Sequence, residues 1–157
     1  GGGQELGRRG GSENVSGIVG FGLAAELSAG ELARAGELAD KRDRMEADLR
    51  AAMPDVRIFG AQAPRLPNTS CFGLAGLHGE TVVMALDLAG ISVSAGAACS
   101  SGKVSRSHVL DAMGIEHDVN SGAIRVSLGR DTDDGACDRL VENWLKQAAT
   151  LQRAAAQ

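Results

Sequence analysis

The chain of 157 residues predicts a small α/β domain, with helices packed on a short mixed or antiparallel sheet. Two observations carry this. Segments with helical periodicity alternate with short apolar or alternating runs bounded by Gly, Pro and Asn. Apolar residues make up 43% of the chain, enough to close a core without disulfide or metal support. Aromatics are only 3%, with no Tyr, so aliphatic side chains and Ala must fill that core.

The elements follow in order. Gly1 to Gly11 reads as a flexible basic loop. Ser12-Glu13-Asn14 offers capping side chains to a helix running from Val15 to Leu27, which Ala29-Gly30 interrupts. Glu31 to Met53 reads as a long helix stopped by Pro54, with Leu38, Met45, Leu49 and Ala52 on one face. Glu37 and Lys41, Asp40 and Arg44, and Glu46 and Arg50 are acid-before-base pairs four apart, so the charge run reads as a solvated face. Val56 to Phe59 and Thr69 to Ala75 read as strands, joined by a loop over Gly60 to Asn68. A helix over Glu80 to Ala89 ends at Gly90, and a brief strand spans Ile91 to Ser94. Ser107 to Met113 reads as helix. Ala123 to Leu128 alternates as a strand, with Ile124, Val126 and Leu128 on one face and Arg125 and Ser127 on the other. Asp133 to Arg153 is the last helix.

Composition excludes several classes. No apolar run is read as long enough to span a membrane, and no secretory signal opens the chain. A net charge of −4 with mixed signs argues against nucleic acid as a partner. Three cysteines without regular spacing make no disulfide framework, and no Cys-x-x-Cys or His-x-x-x-His pair suggests zinc. A reducing cytoplasm is the location expected. The opening GGGQELGRRGG has no initiator Met and reads as a cut inside a longer protein.

The stretch GAACSSGKVS (Gly96 to Ser105) concentrates the chemical signal. It is not a phosphate loop. That motif needs four residues between its glycines and a hydroxyl after the lysine, whereas five separate Gly96 from Gly102 and Val104 follows Lys103. A reactive thiol at Cys99 is the sharper reading. No Asp or Glu occurs from Leu88 to Leu110, Lys103 and Arg106 supply positive charge, and only small residues flank the sulfur. The opposing reading is a small buried hydrophobe, and these features alone leave both open. Cys71 and Cys137 read as core. His78 and His117 read as turn residues, with no spacing that links them to Cys99. Arg125 is a lone cation on the polar face of an otherwise apolar strand, suited to gripping a carboxylate, although the residues alone favour a solvated arginine at this stage.

Three stretches together resemble the cysteine desulfurase family. GGGQELGRRGGSENVSGIVGFG (Gly1 to Gly22) is similar to the segment entering the family's C-terminal half, SVSAGAACSSGKVSRSHVLDAMGI (Ser92 to Ile115) to its active-site cysteine loop, and SGAIRVSLGR (Ser121 to Arg130) to its substrate-arginine strand. The Leu66-Pro67-Asn68 before a strand also fits, and the motifs appear in the family's order. The long loop after Cys99 resembles the class serving iron–sulfur cluster assembly and nitrogen fixation.

The resemblance implies the C-terminal small domain of a type I pyridoxal-phosphate-dependent transferase fold (class V aminotransferases), with residues 31–157 forming that domain. Residues 1–30 would be a remnant of the large domain and its connecting helix. It implies conversion of L-cysteine to L-alanine with a persulfide left on Cys99, the substrate carboxylate held by Arg125, and the hydroxyl of Ser12 reaching the cofactor phosphate of a partner subunit in a homodimer. Ser12 stands where the family has Thr. Sulfur would pass to an acceptor or scaffold protein. The family's Schiff-base lysine sits in a Ser-x-His-Lys segment, and Lys41, Lys103 and Lys146 all lack that context. The expectation is therefore an enzyme fragment inactive by itself. The rival is a stand-alone persulfide carrier that needs no pyridoxal phosphate.

Overall fold

The computed structural model describes residues 2–95 and 107–155. The chain divides into two compact units, Gly1–Ala35 and Gly36–Gln157.

The first unit holds α1 (Gln4–Gly7), a single turn with Glu5 and Leu6 at positive φ, and α2 (Val15–Leu32). Asn14, rather than Ser12, caps α2, its side chain accepting the Gly17 N–H at 3.1 Å. Arg9 closes the preceding turn by donating to the carbonyl oxygens of Gly11 and Ser12. The helix runs through Ala29-Gly30, where the sequence suggested a break. Continuous, it is long and apolar enough to cross a membrane by length and composition, which corrects the reading that no run reaches that length. Its apolar side chains, Val15, Val19 and Phe21 among them, are exposed.

The second unit is built on a four-stranded sheet: β1 (Arg57–Ile58), β2 (Thr69–Gly73), β3 (Ser94–Ala95) and β4 (Ile124–Ser127), in the order β1-β2-β4-β3. Every pairing is antiparallel. Side chains alternate across a strand, so each face has its own partners. Phe72, Ile124 and Val126 point to the large core, which α3 (Ala35–Ala52), α4 (Gly79–Leu88) and α7 (Asp134–Ala155) complete with Met45, Leu49, Val82, Leu86, Leu140 and Trp144. Phe72 and Trp144 meet edge to face at 5.4 Å between ring centroids, a favoured aromatic geometry. Cys137 belongs to this core, as expected. The opposite face carries a smaller cluster of Phe59, Leu110, Val119 and Ala123, under α5 (His108–Ala112) and α6 (His117–Ser121). Helix α6 occupies the stretch the sequence suggested was a turn.

The charged face of α3 is only partly solvated, contrary to expectation. Glu46 and Arg42 are buried. Lys41 reaches Asp134 at 2.9 Å and the Thr132 carbonyl at 2.8 Å, and Arg44 donates to the Asp134 carbonyl at 3.1 Å. The helix therefore uses its charges to tie down α7 and the loop before β2, more than along its own surface.

Candidate active site

On the face opposite the large core, three residues line up across three strands. Cys71 of β2 and Ser94 of β3 both stand opposite Arg125 of β4. Side chains of directly opposed residues lie about 5 Å apart at Cβ, so the three share one patch of surface. They floor a cavity of about 540 Å³. The loop before β2, through Ala63, Pro64, Arg65 and Leu66, forms one wall, and Ser107, His108, Leu110 and Met113 form another.

Arg125 is exposed and, among the described residues, has neither a hydrogen bond nor an ion pair. Among the described residues, no Asp or Glu lines the cavity. An arginine without a partner among them, in a hollow they leave free of acids, presents its fork to an anion such as a carboxylate.

Cys71 meets the sequence reading only in part. It was expected in the core, on the face it shares with Gly73 and Ala75. It packs against the smaller cluster, on the face bearing Arg125, and is half-buried at the cavity floor rather than fully enclosed. Burial pushes its thiol up to about 11, against a smaller downward pull from Arg125. It is a neutral thiol at ordinary pH and leaves Arg125 uncompensated.

Ser94 and Ser107, which bracket the stretch bearing Cys99, both line the cavity. Cys99 itself, with Lys103 and Arg106, lies outside the described residues. Ser107 caps α5, its Oγ accepting the Leu110 N–H at 3.3 Å. Asn120, buried on α6, donates through Nδ2 to the Ser107 carbonyl at 3.2 Å and to Asp111 at 2.9 Å. Sequence reasoning passed over Asn120. Its signal is weak, a polar residue inside a five-residue helix. Ser12 lies in the first unit, exposed, its hydroxyl unpartnered among the described residues. His78 sits at the N-cap of α4 without a capping bond, and His117 opens α6.

Residues 3–140 match the family described as aminotransferase class-V. The chain belongs to that family. A cysteine desulfurase of Cereibacter sphaeroides is 47% identical over 142 residues, covering 90% of this chain and 36% of that protein. Cysteine desulfurase IscS 1 of Archaeoglobus fulgidus is 45% identical over 143 residues, covering 90% of this chain and 37% of its own length. Among solved structures, the NifS-like protein from Rickettsia africae superposes with a TM-score of 0.81 at 29% identity, over 95% of this chain and 39% of that one. The class-V chain thus spans little more than a third of the curated relatives it matches. Its small antiparallel sheet with flanking helices is the fold of the corresponding part of NifS-like proteins.

Proposed function

We propose that this chain is the sulfur-accepting and carboxylate-binding part of a cysteine desulfurase. It serves conversion of L-cysteine to L-alanine, holding the sulfur as a persulfide on Cys99 for delivery to an acceptor protein. The observation that carries this reading is the cavity: among the described residues, Arg125 on its floor has no partner and no acid lines it, and Ser94 and Ser107, on either side of the Cys99 stretch, both line it. The names of the relatives give the reading its chemistry.

Arg125 orients the substrate by gripping its carboxylate bidentately, with Cys71 and Ser94 on either side. Cys99 lies four residues beyond Ala95 in sequence, and Ser107 returns the chain to the cavity wall. Asn120 fixes that return point. The acid-free composition around Cys99 favours its thiolate.

The reading implies pyridoxal phosphate, and the residues described here fit it only in part. They supply the substrate's carboxylate clamp. They supply no lysine at the cavity: Lys41 is held by Asp134 at 2.9 Å and Lys146 by Glu142 at 2.6 Å. The lysine and most of the cofactor cradle belong, on this reading, to other parts of a larger enzyme, as does the cover for the exposed apolar side chains of α2. Ser12 would contribute its free hydroxyl to a cofactor phosphate, in a homodimer.

The test is a chimaera in which this chain replaces the matching segment of the Cereibacter sphaeroides cysteine desulfurase. L-alanine should form from L-cysteine. Arg125→Ala should lower kcat/KM by roughly 2–4 kcal/mol in transition-state terms, and Arg125→Lys should recover only part of it, because the fork is lost. A chimaera that binds cofactor and makes no alanine, or wild-type kinetics in both arginine variants, would refute the assignment.

A further inference from the structure

Strand β1 stands at one edge of the sheet, bonded to β2 on one side only among the described residues. The Phe59 N–H donates to the Cys71 carbonyl at 2.8 Å, so Phe59 and, two residues back, Arg57 turn their main-chain groups toward β2. Ile58 lies between them, and its N–H and C=O therefore face outward, away from β2. Beside this edge lies an open hollow of about 380 Å³, lined by Arg50, Val56, Arg57, Ile58 and the loop from Gly60 to Ala63. Among the described residues no Asp or Glu lines it. Two arginines reach this edge from opposite faces of the sheet. Arg57 is exposed and stands opposite Gly73, on the face of Cys71 and Arg125. Arg50 belongs to α3, which packs on the large-core face through Met45 and Leu49. Among the described residues Arg50 approaches one carboxylate, Glu46 at 4.0 Å, which is buried and already held by Arg65 and Ser70. Asp55, next to Val56 in sequence, is exposed and does not line the hollow.

We propose that the outer edge of β1 is a docking site for an extended acidic segment of a partner protein, which adds to the sheet as a further strand. The main chain of that segment pairs with the N–H and C=O of Ile58. Side chains of a strand alternate between faces, so two consecutive acidic residues meet Arg57 on one face and Arg50 on the other. Charge selects the occupant. A second copy of this chain, pairing edge to edge, would set its own Arg50 and Arg57 against these arginines, and like charges oppose such pairing. An apolar strand would leave both guanidinium groups beside it without a counter-charge. The docked segment runs next to the Arg125 cavity, since Gly60 and Ala63 line both hollows. This docking is independent of what Arg125 binds.

The experiment titrates the 157-residue chain with the acetylated, amidated peptide Thr-Val-Glu-Asp-Val-Thr, followed by amide chemical shifts and hydrogen exchange. The Ile58 amide should shift and exchange more slowly, with Arg57 and Gly60 shifting beside it and Ser94 unmoved. The same peptide with Gln and Asn for its acids should bind about tenfold more weakly, and Arg50→Gln or Arg57→Gln should each weaken the acidic peptide about threefold. N-methylation of both central peptide residues removes a donor from whichever edge meets β1, and should abolish the Ile58 shift. An Ile58 amide unmoved at several millimolar acidic peptide overturns the proposal, as does equal binding of the neutral or the N-methylated peptide. Shifts confined to Cys71, Ser94 and Arg125 would put the peptide's carboxylates in the other cavity and overturn it too. Ile58 protection that rises with chain concentration, without peptide, would make a second copy the occupant, with the same consequence. Should an arginine variant not fold, the three peptides decide on the wild type alone.

Discussion

Cys71 and Arg125 face each other across β2 and β4, and each sets the other's chemistry. The folded Cys71 thiol is raised to about 11 from an ordinary 9.0. Between those values the unfolded chain has released a proton that the folded chain keeps, so stability falls as pH rises. Two units correspond to roughly 2–3 kcal/mol. Urea midpoints should therefore drop between about pH 9 and about pH 11, and Cys71→Ser should flatten part of that drop. Cys137, also raised by burial, contributes in the same direction. Arg125 lowers the Cys71 value, so Arg125→Gln should move the alkylation profile of Cys71 to still higher pH; a shift downward would contradict the pairing. At this scale the sequence was half legible. Arg125 declared itself by being the one charge in an apolar alternation. Cys71 was legible only in part, because the alternation of β2 does not say which of its two faces meets the large core until β4 pairs with it.

Glu46, Arg65 and Ser70 join three elements, α3, the loop before β2, and β2. Burial would raise the Glu46 pKa, but hydrogen bonds from Arg65 and Ser70 and the charges of Arg65 and Arg50 outweigh it and hold it below its ordinary value. Its stabilising contribution is thus present above the ordinary carboxylate range and is lost as pH falls through the lowered value. Arg65→Ala should cost about 3–5 kcal/mol by urea unfolding, since it strands a buried carboxylate; a cost near zero would mean the pair is solvated. Backbone approaches also fix the elements. A Cβ at Gly79 would lie 2.7 Å from the Ala123 carbonyl oxygen, so Gly79→Ala should destabilise by about 1–3 kcal/mol, read as a drop in melting temperature. The long elements α3, α4 and α7 were legible because each carries a sustained apolar stripe. Helix α6 was not, since five residues make barely more than one turn and show no period. Charge pairs four apart on α3 were a poor guide because tertiary partners on α7 and the loop before β2 compete for the same side chains.

At the scale of the molecule, the chain spans about 36% of a relative named cysteine desulfurase, and its described lysines, Lys41 and Lys146, are engaged by carboxylates on α7. The chain given pyridoxal phosphate and borohydride should carry no cofactor on Lys41 or Lys146, by peptide mass mapping. Family and fold were legible from three motifs in order, because chemistry constrains a cysteine loop and an arginine strand far more tightly than packing constrains a helix. The exposed apolar length of α2 was not, because Gly30 within it reads as a break. The central claim is that sulfur leaves the substrate for Cys99. Its most direct measurement is peptide mass mapping of the desulfurase chimaera after brief exposure to L-cysteine. The Cys99 peptide should gain the mass of one sulfur atom, reversibly under dithiothreitol, and Cys99→Ser should abolish the gain with cofactor still bound. Sulfur found on Cys71 or Cys137 instead, or alanine released with Cys99 unmodified throughout, would contradict the account.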